Sequence, residues 1–472
     1  MNNFDLDRFL IQDPEFVHVP VSGSVDLTSE GEKFAELLAN VNGRISLAAT
    51  NPQLATQPTS RRNLQMKVRR LSDGLHADVS RFQWGNNDLR GTLVYHDRDR
   101  PMFEIDINGG SLSLELWEKQ QDEPLGKAKG KEKSGFASAA GTSARLVNDI
   151  LRSPFRLFSG PGEADPGGKL FDSEPLPFDA LNDYDATVTA NLGKLESRAG
   201  TFGGLQVTAK LDHGRLDLQA SATSFNSGNA ELQLSVDASR VPPTIDLTGT
   251  TSNSFGPSGE PTFPRSAFFT ISSVGSSTAE IASNLNGQLY LELGKGPFDY
   301  VNVSMLTSDV ASSVAQTLIP GIEKTEPVLE CGVALGVFKD GVGTTPFGYA
   351  LRTDKANLIG RLEMDLKKEL MELALDSRSR EGVGLSVGNV FSNTIRVKGP
   401  LNNPQIVPHT TGLLWRGWAA FMTAGLSVVG ESVIKRALSA ENPCKSLKKD
   451  IRKEVCGTKE PMAGSPLVCG AA

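Results

Sequence analysis

Two sets of residues in this chain have types and spacings that could do chemistry. Gly384-Leu385-Ser386-Val387-Gly388 fits the G-x-S-x-G pattern of a hydrolase nucleophile elbow. That chemistry needs a buried strand, a sharp turn and a following helix, so that the serine hydroxyl stands free. Here Val383, Leu385 and Val387 alternate, Ser386 falls on the polar face, and Asn389 and Ser392 lead toward another strand. The motif therefore reads as a strand position, and no catalytic residue is expected. The histidines His18, His76, His96, His213 and His409 are scattered, without H-E-x-x-H or other paired spacing. No metal or cofactor is expected. Of the four cysteines, Cys331 is in phase with an apolar face and reads as a buried thiol. Cys444, Cys456 and Cys469 gather near the C-terminus beside Lys445, Lys448, Lys449, Arg452 and Lys453.

The elements that hold these residues are strands. The longest regular alternation runs from Glu330 to Pro408: Cys331, Val333, Leu335 and Val337, then Phe347, Tyr349 and Leu351, then Leu358, Leu362 and Met364. It continues through Met371, Leu373 and Leu375, then Val383, Leu385 and Val387, then Ile395 and Val397. Arg361, Glu363, Asp365, Glu372, Asp376, Arg396 and Lys398 occupy the alternate positions. A period of two sends successive side chains to opposite faces, which predicts antiparallel strands with one apolar and one wet face.

The same alternation fills most of the chain. Leu75, Ala77 and Val79, Leu89 to Tyr95, Phe103 to Ile107 and Leu112 to Leu116 form hairpins around turn residues. It stops at Glu118, where EKQQDEPLGKAKGKEKSG is charged and nearly free of large apolar residues, predicting a disordered insertion. The division expected is a β-meander over 1–117, an insertion over 118–169 and a middle β-meander over 170–251. A loop over 252–268, a C-terminal β module over 269–408 and a helical tail over 409–472 follow. Short helices are expected at Phe34–Leu38, Ala144–Leu151, Met305–Leu318, Leu413–Leu438 and Lys445–Val455. Residues 34–47 match residues 278–291 at a constant offset of 244, each copy reading helix, Asn-Gly stop, strand. That is the signature of an internal repeat.

Composition narrows the function classes. A net charge of −7 over 472 residues offers no basic footprint, so no nucleic-acid partner is expected. A hydrophobic content of 39% suits sheets with one apolar face better than a large two-sided core. The N-terminal residues show no positively charged start and no apolar core of a signal peptide. No window reaches the ~18 apolar residues of a spanning helix. Taken literally, the chain is soluble and carries no export signal. The segment around Trp415, Trp418 and Phe421, with a single charge up to Val429, reads either as a plug for one end of the sheet or as a membrane or partner contact.

Several stretches in this order resemble the C-terminal region of the AsmA family of Gram-negative envelope proteins. They are Leu170-Phe171-Asp172-Ser173-Glu174-Pro175-Leu176-Pro177-Phe178, Leu285-Asn286-Gly287-Gln288-Leu289, the strand opened by Cys331 with Gly341-Val342 after it, and Val397-Lys398-Gly399-Pro400-Leu401-Asn402-Asn403-Pro404. The similarity covers residues 20 to 445 outside the two loose loops. The anchoring helix and the additional β-rich N-terminal region of that family are missing here. The resemblance implies a mainly β fold, an extended curved antiparallel sheet forming a β-groove, with a few short helices and a helical C-terminus. It also implies a non-enzymatic protein of the periplasm, normally anchored to the inner membrane, with roles in outer-membrane assembly and phospholipid movement.

The partners so implied are phospholipids, the inner and outer membranes, and envelope proteins. The apolar rows named for such a groove are Val333, Leu335, Val337, Leu362, Met364, Leu373, Leu375, Leu385 and Val387. The alternative is a scaffold or regulator of outer-membrane protein assembly with a closed, dry core. An oxidising periplasm would favour disulfides among Cys331, Cys444, Cys456 and Cys469, with Cys331 reaching one C-terminal cysteine and tying the tail to the sheet.

Overall fold

The computed structural model describes residues 21–28, 42–50, 61–84, 87–114, 169–197, 200–254, 264–297, 328–380, 393–407 and 440–456. The architecture is mainly β, with extended and, but for one pair, antiparallel pairing within each unit and few helices among the described residues. The helices expected at Phe34–Leu38, Ala144–Leu151, Met305–Leu318 and Leu413–Leu438 lie outside the described residues, as does the expected insertion from residue 118 to 168. No described helix is long and apolar enough to cross a membrane. The strands divide into two units.

The first unit holds β1 (Val21–Thr28), β2 (Asn42–Thr50), β3 (Arg61–Leu71), β4 (Gly74–Trp84), β5 (Asn87–His96) and β6 (Met102–Ser113). It continues through β7 (Asp185–Ser197), β8 (Gly200–Asp212), β9 (Arg215–Phe225) and β10 (Gly228–Asp237). Each strand pairs antiparallel with the next, except that β6 and β7 run parallel. Two hairpins close on residues with positive φ, His213-Gly214 (50° and 76°) and Asn226-Ser227 (45° and 73°), as tight two-residue turns require. The parallel pair is pinned at one end by Arg100. Its Nε donates to Asp185 Oδ1 at 2.6 Å and its Nη2 to the Tyr184 carbonyl at 3.2 Å.

Between β6 and β7 the chain contributes residues 169–176 to the second unit. There the backbone N–H of Leu170 donates to Glu369 Oε2 at 2.7 Å, and Phe171 is buried. The Asp172 N–H donates to Thr278 Oγ1, whose hydroxyl donates back to the Asp172 carbonyl. The Leu170–Leu176 part of the sequence motif is thus a strap laid over one end of the second unit. The middle strands 185–237 group with the N-terminal strands and not as a separate module.

The second unit comprises β11 (Thr244–Ser254), β12 (Arg265–Val274), α1 (Thr278–Ser283), β13 (Asn286–Leu293), β14 (Gly296–Pro297) and β15 (Val328–Lys339). After these come β16 (Val342–Thr344), β17 (Tyr349–Thr353), β18 (Ala356–Asp365), β19 (Leu370–Ser379), β20 (Asn393–Pro400), β21 (Gln405–Val407) and α2 (Pro443–Cys456). β12 begins at Arg265, so the loop expected to reach 268 ends earlier. Asn442 caps α2, its Oδ1 accepting from the Lys445 N–H at 3.0 Å, and Pro443 takes the first helical position. Cys444, Leu447 and Ile451 form the helix's apolar stripe, at the spacing of one face.

The internal repeat is structural as well as sequential. β1 pairs β2 from Val21↔Ala49 to Thr28↔Asn42, and β12 pairs β13 from Arg265↔Leu293 to Ser272↔Asn286. The two registers coincide at every position once 244 is added. Gly43 and Gly287 share positive φ (150° and 133°). Asn42 Oδ1 accepts from the Arg70 N–H at 2.6 Å, and Asn286 Oδ1 accepts from the Asp340 N–H at 3.0 Å. A Cβ on Gly287 would stand 2.1 Å from the Thr270 carbonyl oxygen. Gly287→Ala should therefore destabilise the second unit by roughly 1–3 kcal/mol or more, read as a lower denaturant midpoint.

Candidate functional site

The first unit has one apolar face, and the register aligns it across all ten strands. One row runs Val25, Ile45, Met66, Val79, Gly91, Ile107, Ala190, Val207, Ala220 and Leu232. The row beside it holds Leu64, Phe82, Leu89, Gly109, Leu192, Leu205, Ala222 and Ala230. On the other side lie Val68, Ala77, Leu93, Ile105, Val188, Ala209, Leu218 and Leu234. None of these positions carries an ionisable or hydrogen-bonding side chain. The opposite face holds Arg44, Lys67, Asp78, Thr92, Asp106, Thr189, Thr208, Gln219 and Gln233 at the intervening positions. Nine strand spacings of ~4.8 Å make the face about 43 Å long.

This face is only partly covered. Ile45, Met66, Val79, Leu89, Ile105, Ile107, Val188 and Val207 are half-buried, and Val25 is 41% exposed. The hydrophobic cluster around Leu192, Leu205 and Ala222 draws its other members, Leu89, Ile107, Leu112, Leu195, Phe202 and Val207, from the strands themselves. Soluble proteins rarely leave a continuous apolar patch of more than a few hundred Å² without a partner for it.

The residues named from the sequence fall elsewhere, and the structure divides them. Val333 lies opposite Ala350, which lies opposite Ile359, which lies opposite Asp376. Leu362 lies opposite Leu373, and that opposite Val397. Within β18, Ile359 and Leu362 point to opposite faces, so Val333, Leu335 and Val337 do not share a floor with Leu362, Met364, Leu373 and Leu375. Alternation assigns faces within a strand, but register decides which faces join. The single apolar face expected to hold Val333, Leu335, Val337, Leu362 and Met364 together is therefore corrected. Val333 (3% exposed) and Leu335 (2%) pack with Cys444, Leu447 and Ile451 of α2. Met364, Leu373 and Leu375 are buried in a second cluster with Phe171, Ile395 and Val397.

A disulfide joins Cys331 to Cys444 and fastens α2 over that first cluster. Lys448 Nζ adds an ion pair to Glu292 at 2.6 Å, and Arg352 donates to the Glu441 carbonyl. Leu385, Val387, Trp415, Trp418, Phe421 and Cys469 lie outside the described residues, as do Ser386 and the side chain of Cys456.

Two polar groupings stand outside these faces. Asp185, Asp212 and His213 come together, but Arg100 and the His213 N–H both donate to Asp185, and Lys210 Nζ donates to Asp212 at 2.9 Å. The His213 ring and Lys210 hold the Asp212 carboxyl down to about 2. The carboxylates are thus already engaged in tying β6, β7 and β8 together.

In the second unit Glu330 accepts from Arg352 at 2.5 Å and from Arg380 at 2.6 Å. Burial pushes its carboxyl up, but the hydrogen bonds from Arg380 and Arg352 outweigh that and hold it below the usual range. A depressed folded-state value means the contribution is complete above the ordinary carboxylate range, about pH 4.3, and is lost as pH falls through it. The melting temperature of the wild type should therefore drop more steeply below about pH 5 than that of Glu330→Gln.

Comparisons with protein-family models, with curated proteins and with solved structures find no match to this chain. In the first-unit face Leu, Ile, Met and Phe are interspersed with Ala, Gly and Val. The alternation is visible strand by strand, but which positions join into rows depends on register.

Proposed function

We propose that this chain is an AsmA-like protein of the Gram-negative envelope that holds or conducts phospholipid acyl chains along an apolar β-groove between the inner and outer membranes. The observation that carries it is the first-unit face, with three aligned apolar rows, no polar side chain in them, and most of its large residues only half-buried. Each buried CH₂ of a lipid gains ~0.8 kcal/mol, so two acyl chains along this face would be held firmly. Successive positions in a row are nearly equivalent, so sliding between them would cost little. No general acid, base or nucleophile is required for such work, consistent with a non-enzymatic role. The family resemblance of the Leu170–Phe178 motif and of the Asn286-Gly287 and Gly399-Pro400 turns supports the same reading. The groove residues in this proposal are Ile45, Met66, Val79, Leu89, Ile107 and Val207, in place of those in the second unit.

The second unit favours the alternative, a scaffold for outer-membrane protein assembly, because it buries one apolar cluster on each face of its sheet. Native mass spectrometry of the protein purified from membranes separates the two. Bound phospholipid at near-stoichiometric occupancy is expected. A protein that carries no lipid, and takes up none from vesicles, would leave the scaffold reading standing.

A further inference from the structure

We propose that β1 is an interaction edge, and that it pairs antiparallel with β1 of a second copy of this chain to form a dimer with one continuous sheet. The inference starts from the repeat and does not depend on what fills the apolar face. β1 and β12 are counterparts, position for position, in their pairing with β2 and β13. β12, however, has a second neighbour. Its outer edge pairs antiparallel with β11, from Thr244↔Val274 to Thr251↔Ala267. Among the described residues β1 pairs with β2 alone. Among the described residues, the same backbone edge that takes a strand in one copy of the repeat therefore has no partner in the other.

The side chains say what fits there. Phe269 is the counterpart of Val25, and its ring lies over Gly249 of β11, where an added Cβ would come within 2.4 Å of the ring. The residue at this position reaches across to the outer neighbour, and Val25 is 41% exposed with no such neighbour among the described residues. β1 also lacks the usual protection of a free edge. It has no lysine and no proline, and Asp26 is its one charge in eight residues.

A second β1 is a self-complementary partner. A two-fold axis perpendicular to the sheet makes the two strands antiparallel and keeps both apolar faces on one side. The pairing that matches the faces and brings the two exposed side chains together places Val25 opposite Val25. Asp26 then meets Ser24 of the other copy, so like charges are not opposed. Val25 of each copy then completes the row that ends at Val25 of the other, joining two ten-stranded faces.

Sedimentation velocity on the full chain over a concentration series tests this. The expected species has twice the 50.5 kDa chain mass. Val25→Lys and Ser24→Pro should each shift it to monomer with an unchanged far-UV circular dichroism spectrum, while Val25→Ile should leave it a dimer. Should the disruptive variants misfold, Val25→Cys keeps the proposal testable, since its oxidation should give a covalent dimer on a non-reducing gel. A parent chain that stays monomeric at every concentration would overturn the proposal. So would a dimer that survives both disruptive substitutions, or a Val25→Cys protein that does not cross-link.

Discussion

Ile107→Asp should strip the protein of bound phospholipid, lowering occupancy or affinity by about a hundredfold. Ile107 sits near the middle of the first-unit face, between Gly91 and Ala190 in its row. Both neighbours are small, so its side chain is the principal contact surface at that point, and it is half-buried. A carboxylate there would have to lie against acyl chain with no cation in any of the three apolar rows. Leaving a polar group without a partner in an apolar contact costs roughly 2–7 kcal/mol, and an ionised one more. Since a factor of ten corresponds to about 1.4 kcal/mol, even the lower figure exceeds a tenfold loss. The matched control is Thr208→Asp, next along β8 from Val207 but on the exposed polar face. It should retain lipid at the wild-type level. Both sites are at least partly solvated in the lipid-free protein, so neither variant should lose much stability, and thermal melts will show this. Equal lipid content in the two variants would remove the face from consideration as the binding surface.

Much of the fold was legible because its strands obey the period of two so closely. Leu216, Leu218 and Ala220 in β9, or Met371, Leu373 and Leu375 in β19, could be placed on one face of a strand directly. The repeat was legible for a related reason: Asn-Gly at residues 42–43 and 286–287 serves a backbone conformation and a side-chain hydrogen bond that few other residue pairs supply. What stayed hidden were the relations between strands distant in sequence. The parallel pairing of β6 with β7 spans an excursion through the second unit that no local pattern announces. The separation of Val333 from Leu362 depends on register, and the irregular step between Leu329 and Cys331 resets the phase at the start of β15. The sequence also showed the strongest alternation where both faces are covered. Strands apolar at successive positions mark burial on two sides, whereas the partly open face of the first unit is backed by a mainly polar reverse.

The paired substitution Cys331→Ser and Cys444→Ser should destabilise the second unit and uncover the patch beneath α2. The bond spans 113 residues, and closing so long a loop in the unfolded chain removes a large share of its entropy. A loss of roughly 2–5 kcal/mol is expected, seen as a melting temperature lower by about 5–15 °C. What would remain to hold α2 is the packing of Leu447 and Ile451 on Val333, Leu335 and Ile359, together with the Lys448–Glu292 pair. That pair is a third exposed at each partner and so contributes little on its own. Part of the population should therefore open, raising the fluorescence of a hydrophobic dye and admitting protease near Pro443. Treating the wild type with dithiothreitol should reproduce both effects; an unchanged melting temperature would mean the helix is held by packing alone. The same variant also discriminates between lipid surfaces. Val333 and Leu335 lie under α2, so lipid held there would increase when the bond is removed. Lipid held on the Ile107 face, within the other unit, should not respond.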